Sequence, residues 1–166
     1  MGITRVTWTD WAGEEPPTTG TVVNNAQLQA IYDSIEAAFT WTAVSFSAGN
    51  FTGNGSMTWT VASGDVQTNS YIKIGRTMIW TVQLNNTTVG GTPAANLQIT
   101  IPGGFTAASN QSVKCSVVLD NNVVTGGHAR VSGGTVVAIL RDDFGNWSAS
   151  TDQTSIYFTI IIQTTA

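Results

Sequence analysis

Arg76-Thr-Met-Ile-Trp-Thr-Val-Gln-Leu84 decides the fold class. In an extended chain Met78, Trp80, Val82 and Leu84 fall on one side, and Thr77, Thr81 and Gln83 on the other. Successive side chains of a strand point to opposite faces, so this period of two marks a strand with one buried face. Working outward, the alternation recurs over residues 41–47, 56–62 and 156–163. In the last of these Ile156, Phe158, Ile160 and Ile162 share a face. Ile161 stands on the opposite one, beside Tyr157, Thr159 and Gln163. An isoleucine there suggests that the second face is also covered, by another subunit for instance, because a bare strand of this composition invites aggregation.

Shorter strand-like runs lie at 71–74, 97–101, 113–119, 123–131 and 135–141. Turn signals separate them, among them Gly53-Asn54-Gly55, Pro102-Gly103-Gly104, Asp120-Asn121-Asn122 and Gly133-Gly134. Eight or nine short strands at this spacing predict an all-β domain over residues 40–166, a jelly-roll-like antiparallel β-sandwich. Trp41, Trp59 and Trp80 alternate with threonines and are expected in its core.

Upstream of the strands the period changes. Residues 25–39 contain neither Gly nor Pro, and Leu28, Ile31, Tyr32, Ile35, Ala38 and Phe39 recur every three or four positions. That spacing predicts one short amphipathic α-helix, with Asn24 or Asn25 able to cap its first turn. About two heptads are too few for an independent coiled coil. The helix must therefore pack on its own β-domain or on the same helix of neighbouring copies. Leu28, Ile31, Ile35 and Phe39 are the candidate oligomer contacts. Residues 1–24 read as an extended arm, since Pro16-Pro17 excludes helix. Within it Trp8 and Trp11 are candidate attachment anchors, because Trp side chains fill partner pockets well.

Charge narrows the function. Only 10% of the 166 residues are charged, against ~25% in an average soluble protein. The surface must be built from Thr, Ser, Asn, Gln and Gly. Net charge is −4, and the six basic residues are scattered, so no stripe exists to neutralise nucleic-acid phosphates or dock on anionic lipid. No apolar run approaches the ~20 residues that a membrane helix needs. Met1-Gly-Ile-Thr-Arg5 lacks the apolar region of a secretory signal, so release by assembly and lysis is the expected route outward. The single cysteine, Cys115, is expected as a buried strand thiol.

Catalytic constellations are not found. The one histidine, His128, and one cysteine are a poor start for a zinc site, which takes three or four ligands. No Gly-x-Ser-x-Gly elbow precedes a helix, and Gly90-Gly91 and Gly133-Gly134 lack the Lys-Ser/Thr of a phosphate loop. Asp142-Asp143 can bind calcium or simply solvate a loop. The expectation is a non-enzyme with no catalytic residues, no metal and no cofactor. Trp147 follows on the polar loop Phe144-Gly-Asn-Trp-Ser148. An exposed Trp beside carboxylates and amides makes a sugar platform, so Asp143, Asn146 and Trp147 are the candidate ligand surface.

Three segments carry a resemblance. Thr21-Val-Val-Asn-Asn-Ala-Gln-Leu-Gln-Ala-Ile-Tyr-Asp-Ser-Ile-Glu36 is similar to the helix near the N-terminus of small tail-fibre-like proteins of tailed bacteriophages. Tyr71-Ile-Lys-Ile-Gly-Arg-Thr-Met-Ile-Trp80 resembles a strand pair common in phage tail and fibre β-domains. Asn85-Asn-Thr-Thr-Val-Gly-Gly-Thr-Pro93 with Leu97-Gln-Ile-Thr-Ile-Pro-Gly-Gly-Phe105 is similar to a turn and strand of the same group. The resemblance implies a structural protein on the virion surface, frequently a homotrimer, whose N-terminal segment joins other virion proteins while its β-domain faces outward. It leaves two roles open, a short fibre that reads host-surface glycans and a head decoration protein seated on the major capsid protein. The short chain, with little room for a long shaft, keeps the second role in view. A free carbohydrate-binding module is the alternative from another class.

Overall fold

The computed structural model describes residues 25–165; the arm with Trp8 and Trp11 lies outside them. The helix belongs to a unit that ends at Thr40, and the strands belong to one that begins at Trp41. Helix α1 spans Asn25–Ala38. On its polar side the Gln29 amide donates to Asp33 Oδ1 at 2.7 Å, one turn on. It closes with a tighter turn, Phe39 N–H donating to the Glu36 carbonyl at 3.1 Å.

Among the described residues twelve strands follow: β1 Thr42–Ala43, β2 Phe51–Gly53, β3 Met57–Thr60, β4 Val66–Ile74, β5 Thr77–Gly91, β6 Leu97–Thr100, β7 Ala107–Lys114, β8 Val117–Asp120, β9 Val123–Val124, β10 Gly127–Gly134, β11 Val136–Arg141 and β12 Ser150–Gln163. They build two antiparallel sheets. The larger runs β1-β4-β5-β12-β8-β9, with β3 on the far end of β5, and the smaller runs β2-β6-β11-β10-β7. The expected antiparallel sandwich with one preceding short helix is present. Turn chemistry fixes the hairpins. Asn121 and Asn122 both adopt positive φ, 53° and 59°, the pair that a two-residue turn matching strand twist requires.

The core forms where the deciding strand predicted it. Met78, Trp80, Val82 and Leu84 are fully buried. Across the ladder they face Ile162, Ile160, Phe158 and Ile156 in turn, and all four are buried too. Trp80 and Phe158 meet edge to face at 5.8 Å, the arrangement ring quadrupoles favour. The smaller sheet contributes Leu97, Ile99, Val137 and Ile139. Each such side chain contributes on the order of 2 kcal/mol through its removal from water. The indole N–H groups are not left bare: Trp80 donates to Asn69 Oδ1 at 2.8 Å and Trp59 to Thr87 Oγ1 at 2.9 Å.

Three expectations need correction. Trp41 is outside the core, 48% exposed. Strand β1 pairs Thr42 with Tyr71, and extending that register by one sets Trp41 opposite Ile72, on the outer face of the large sheet. The runs 113–119 and 123–131 are not single strands. Between β7 and β8 the chain passes from one sheet to the other: Cys115 N–H donates to Gly127 and Ser116 N–H to Tyr157, both at 2.8 Å. Gly127 lies in the small sheet and Tyr157 in the large one. Cys115 is buried as expected, but at this crossing rather than in a strand. The second run divides at Thr125-Gly126 in the same way, with β9 in the large sheet and β10 in the small.

Candidate functional site

Polar and charged side chains of the sandwich gather around the end of β11. Lys114 on β7 and His128 on β10 are cross-strand neighbours, and Asp142 follows β11 directly. The Lys114 ammonium rests on Asp142 Oδ2. On the other oxygen, Asp142 Oδ1 lies 3.3 Å from His128 Nδ1. The two atoms are enclosed but not aligned as a hydrogen bond, and neither has another partner. Gly126, at φ +66°, makes room for this carboxylate: a Cβ there would stand 2.4 Å from Asp142 Oδ2.

Phe144 stacks over His128, with ring centroids 5.9 Å apart and planes within 11°. Its backbone is left-handed, φ +55°, and 63% of the residue is exposed. The left-handed conformation costs a non-glycine residue about 1–2 kcal/mol, so something must hold this ring outward. The neighbouring contacts do. Arg141 Nη2 binds Asp143 at 2.8 Å, and Arg141 Nη1 binds the Asn146 carbonyl at 2.8 Å and Asp120 Oδ2 at 2.7 Å. Asp120, on β8, has a side chain only 1% exposed. It also accepts the Ser148 N–H at 3.0 Å and the Ser148 hydroxyl at 3.1 Å, so a buried carboxylate pins both ends of the loop.

The expected ligand surface separates on this geometry. Asp143 and Asn146 are exposed, but Trp147 is 2% exposed and belongs to the core. Its N–H donates to the Ala94 carbonyl at 3.0 Å and its Nε1 to the Ala95 carbonyl at 3.1 Å. A ring so enclosed presents no face to a sugar. The larger indole has more apolar area to gain by burial, and the aromatic left at the surface is Phe144. The sequence names that residue as part of the loop without distinguishing it, and a loop carries no period from which the inward ring can be told.

Electrostatics mark two groups. Asp143 is held below the usual carboxylate range, first by the Gly145 N–H and then by the Arg141 guanidinium. Burial pushes the Cys115 thiol up to about 12, with the Asp142 charge adding to the effect, which leaves it protonated and unreactive. Among the described residues no three His, Cys, Asp or Glu side chains converge as a metal site.

Of the candidate oligomer contacts Leu28, Ile31 and Ile35 lie on α1, and Phe39 follows its last residue. Ile31, Tyr32, Ile35 and Phe39 are each exposed by half or more. Leu28 is half-buried, and no residue of the helix is buried. Ala30, Ile31, Ser34, Ile35, Ala38 and Phe39 line a shallow groove along one helix face. On the sandwich Ile161, 55% exposed, stands in register with Ile79, and Ile79 with Ile72. No protein-family model, no curated protein and no solved structure matches the chain.

Proposed function

We propose that the protein is a non-enzymatic structural subunit on the surface of a tailed bacteriophage particle. In this reading it is a short homo-oligomeric fibre, a trimer, joined to other virion proteins through residues 1–24 and displaying its sandwich outward. One observation carries the oligomer: the uncovered apolar face of α1. Leu28, Ile31, Ile35 and Ala38 follow the 3-4-3 spacing of a coiled-coil seam. Such a seam is self-complementary, so the partner it suits best is the same helix of another copy. The phage assignment is supported by the resemblance over residues 21–36 and 71–105, and the sparsely charged surface agrees with a subunit that meets many identical neighbours.

Two experiments test the reading. Ile35→Asp sets a charge in the seam, and the full-length variant is expected to lose the trimer in native mass measurements; an unchanged mass removes the helix as the seam. Immunogold labelling of particles with an antibody against the sandwich is expected to place gold at the tail. Gold over the head shell makes the protein a head decoration instead, and particles without label refute the assignment.

A further inference from the structure

We infer that the Phe144 ring is a carbohydrate-stacking platform, held in position by the Asp142–His128 pair beneath it. The inference rests on the outward display of the sandwich proposed above and gives that display a ligand site. Folding alone gives no reason for an aromatic ring to stand 63% exposed on a left-handed backbone, and such outliers gather where a ligand is met. The imidazole of His128 lies nearly parallel to the ring in an offset contact, centroids 5.9 Å apart, and most of the residue stays open to solvent. His128 stands on β10 with Asp142 Oδ1 3.3 Å from its Nδ1, and Asp142 is held by Lys114 and by the space that Gly126 leaves. These are positioning residues: they set the plane of the ring before any ligand arrives.

The surroundings select the ligand class. The Asp143 carboxylate is 60% exposed, the Lys114 ammonium chain likewise 60%, and Asn146 is exposed in the same loop. An exposed apolar ring in a loop that also presents a carboxylate and an amide suits a pyranose, which offers one C–H face and a rim of hydroxyls. A protein partner anchored on Phe144 would need a desolvated apolar surround, whereas Asp143, Gly145 and Asn146 flank this ring in its loop.

The test uses the full chain and a panel of hexose and N-acetylhexosamine oligosaccharides, read by saturation-transfer NMR and by titration. At least one sugar is expected to bind, with saturation concentrated on the C–H protons of one ring face. Phe144→Ala is expected to weaken that sugar about tenfold, equal to ~1.4 kcal/mol, and Phe144→Trp to restore it. Asp142→Asn is expected to weaken binding less and to shrink the ring-current shift on the His128 protons, a signature that general destabilisation does not give. A panel without saturation, or a Phe144→Ala chain that binds as the parent does, overturns the inference. Native mass separates this from the parent reading. A trimer that binds no sugar leaves the particle subunit standing and removes the platform, whereas a sugar-binding monomer keeps the platform and makes the protein a free binding module.

Discussion

Replacing Trp147 separates two roles for the β11–β12 loop. The indole is 2% exposed and packs in the central core cluster. Truncation to alanine removes that area and leaves a cavity, and buried Trp→Ala changes cost about 3–5 kcal/mol. The lost Nε1 bond to Ala95 falls within this range, because the carbonyl it served lies in a half-exposed loop that water can reach. For a domain of this size about 1 kcal/mol corresponds to ~2–4 °C, so Trp147→Ala is expected to lower the melting temperature by roughly 6–20 °C. Trp147→Phe keeps most of the packing, and a loss of about 1–2 kcal/mol is expected from the missing bond and the smaller ring. Urea denaturation of the full chain, followed by tryptophan fluorescence and circular dichroism, gives both values. A Trp147→Ala chain as stable as the parent would refute the core assignment and return the indole to the surface.

Other outcomes follow from the same contacts. Asp120→Ala should cost about 3 kcal/mol, the low end for breaking a buried ion pair because Arg141 is partly solvated; in a double-mutant cycle Arg141→Met should add much less to Asp120→Ala than to the parent. Cys115 should resist a thiol-specific label at pH 8 in the native state and react once urea unfolds the chain, since burial holds its thiol near 12. Asp143 should titrate below an ordinary aspartate in an NMR pH series. A depressed folded pKa contributes stability that is present above the unfolded value and lost as pH falls through the folded one, so Asp143→Asn should converge on the parent at strongly acid pH.

What the sequence made legible was everything written in period. The two strands β5 and β12 alternate without a break through their buried halves, so Trp80 and Ile160 could be placed in a core before any pairing was known. The helix was equally plain from the spacing of Leu28, Ile31 and Ile35. Strand order was not legible, because alternation is blind to which sheet a strand joins. The apolar alternation Val113, Cys115, Val117 runs on through the crossing at Cys115-Ser116, although the buried side chain after Cys115 is Val118, and 113–119 therefore read as one strand. The jelly-roll expectation came from the number of strands and had no access to their order. Trp41 was misplaced for a related reason: at a two-residue edge strand a period of two fixes the opposite face equally well.

The loop after β11 reversed its two aromatic residues, and the physical reason bears on how the site works. Asp120 holds both ends of the loop through Arg141 and Ser148, and Trp147 anchors the second end by packing against the core. With both ends fixed, the residues between them have little freedom, and Phe144 is held outward on the imidazole of His128. Stability and display are thus divided among neighbours in one short segment. Changes at Trp147 or Asp120 should lower the melting temperature and loosen the loop that carries the ring, while changes at Phe144 should leave melting nearly unchanged. A loop organised for solubility alone would show no such division, since nothing would then depend on which of its rings faced the water.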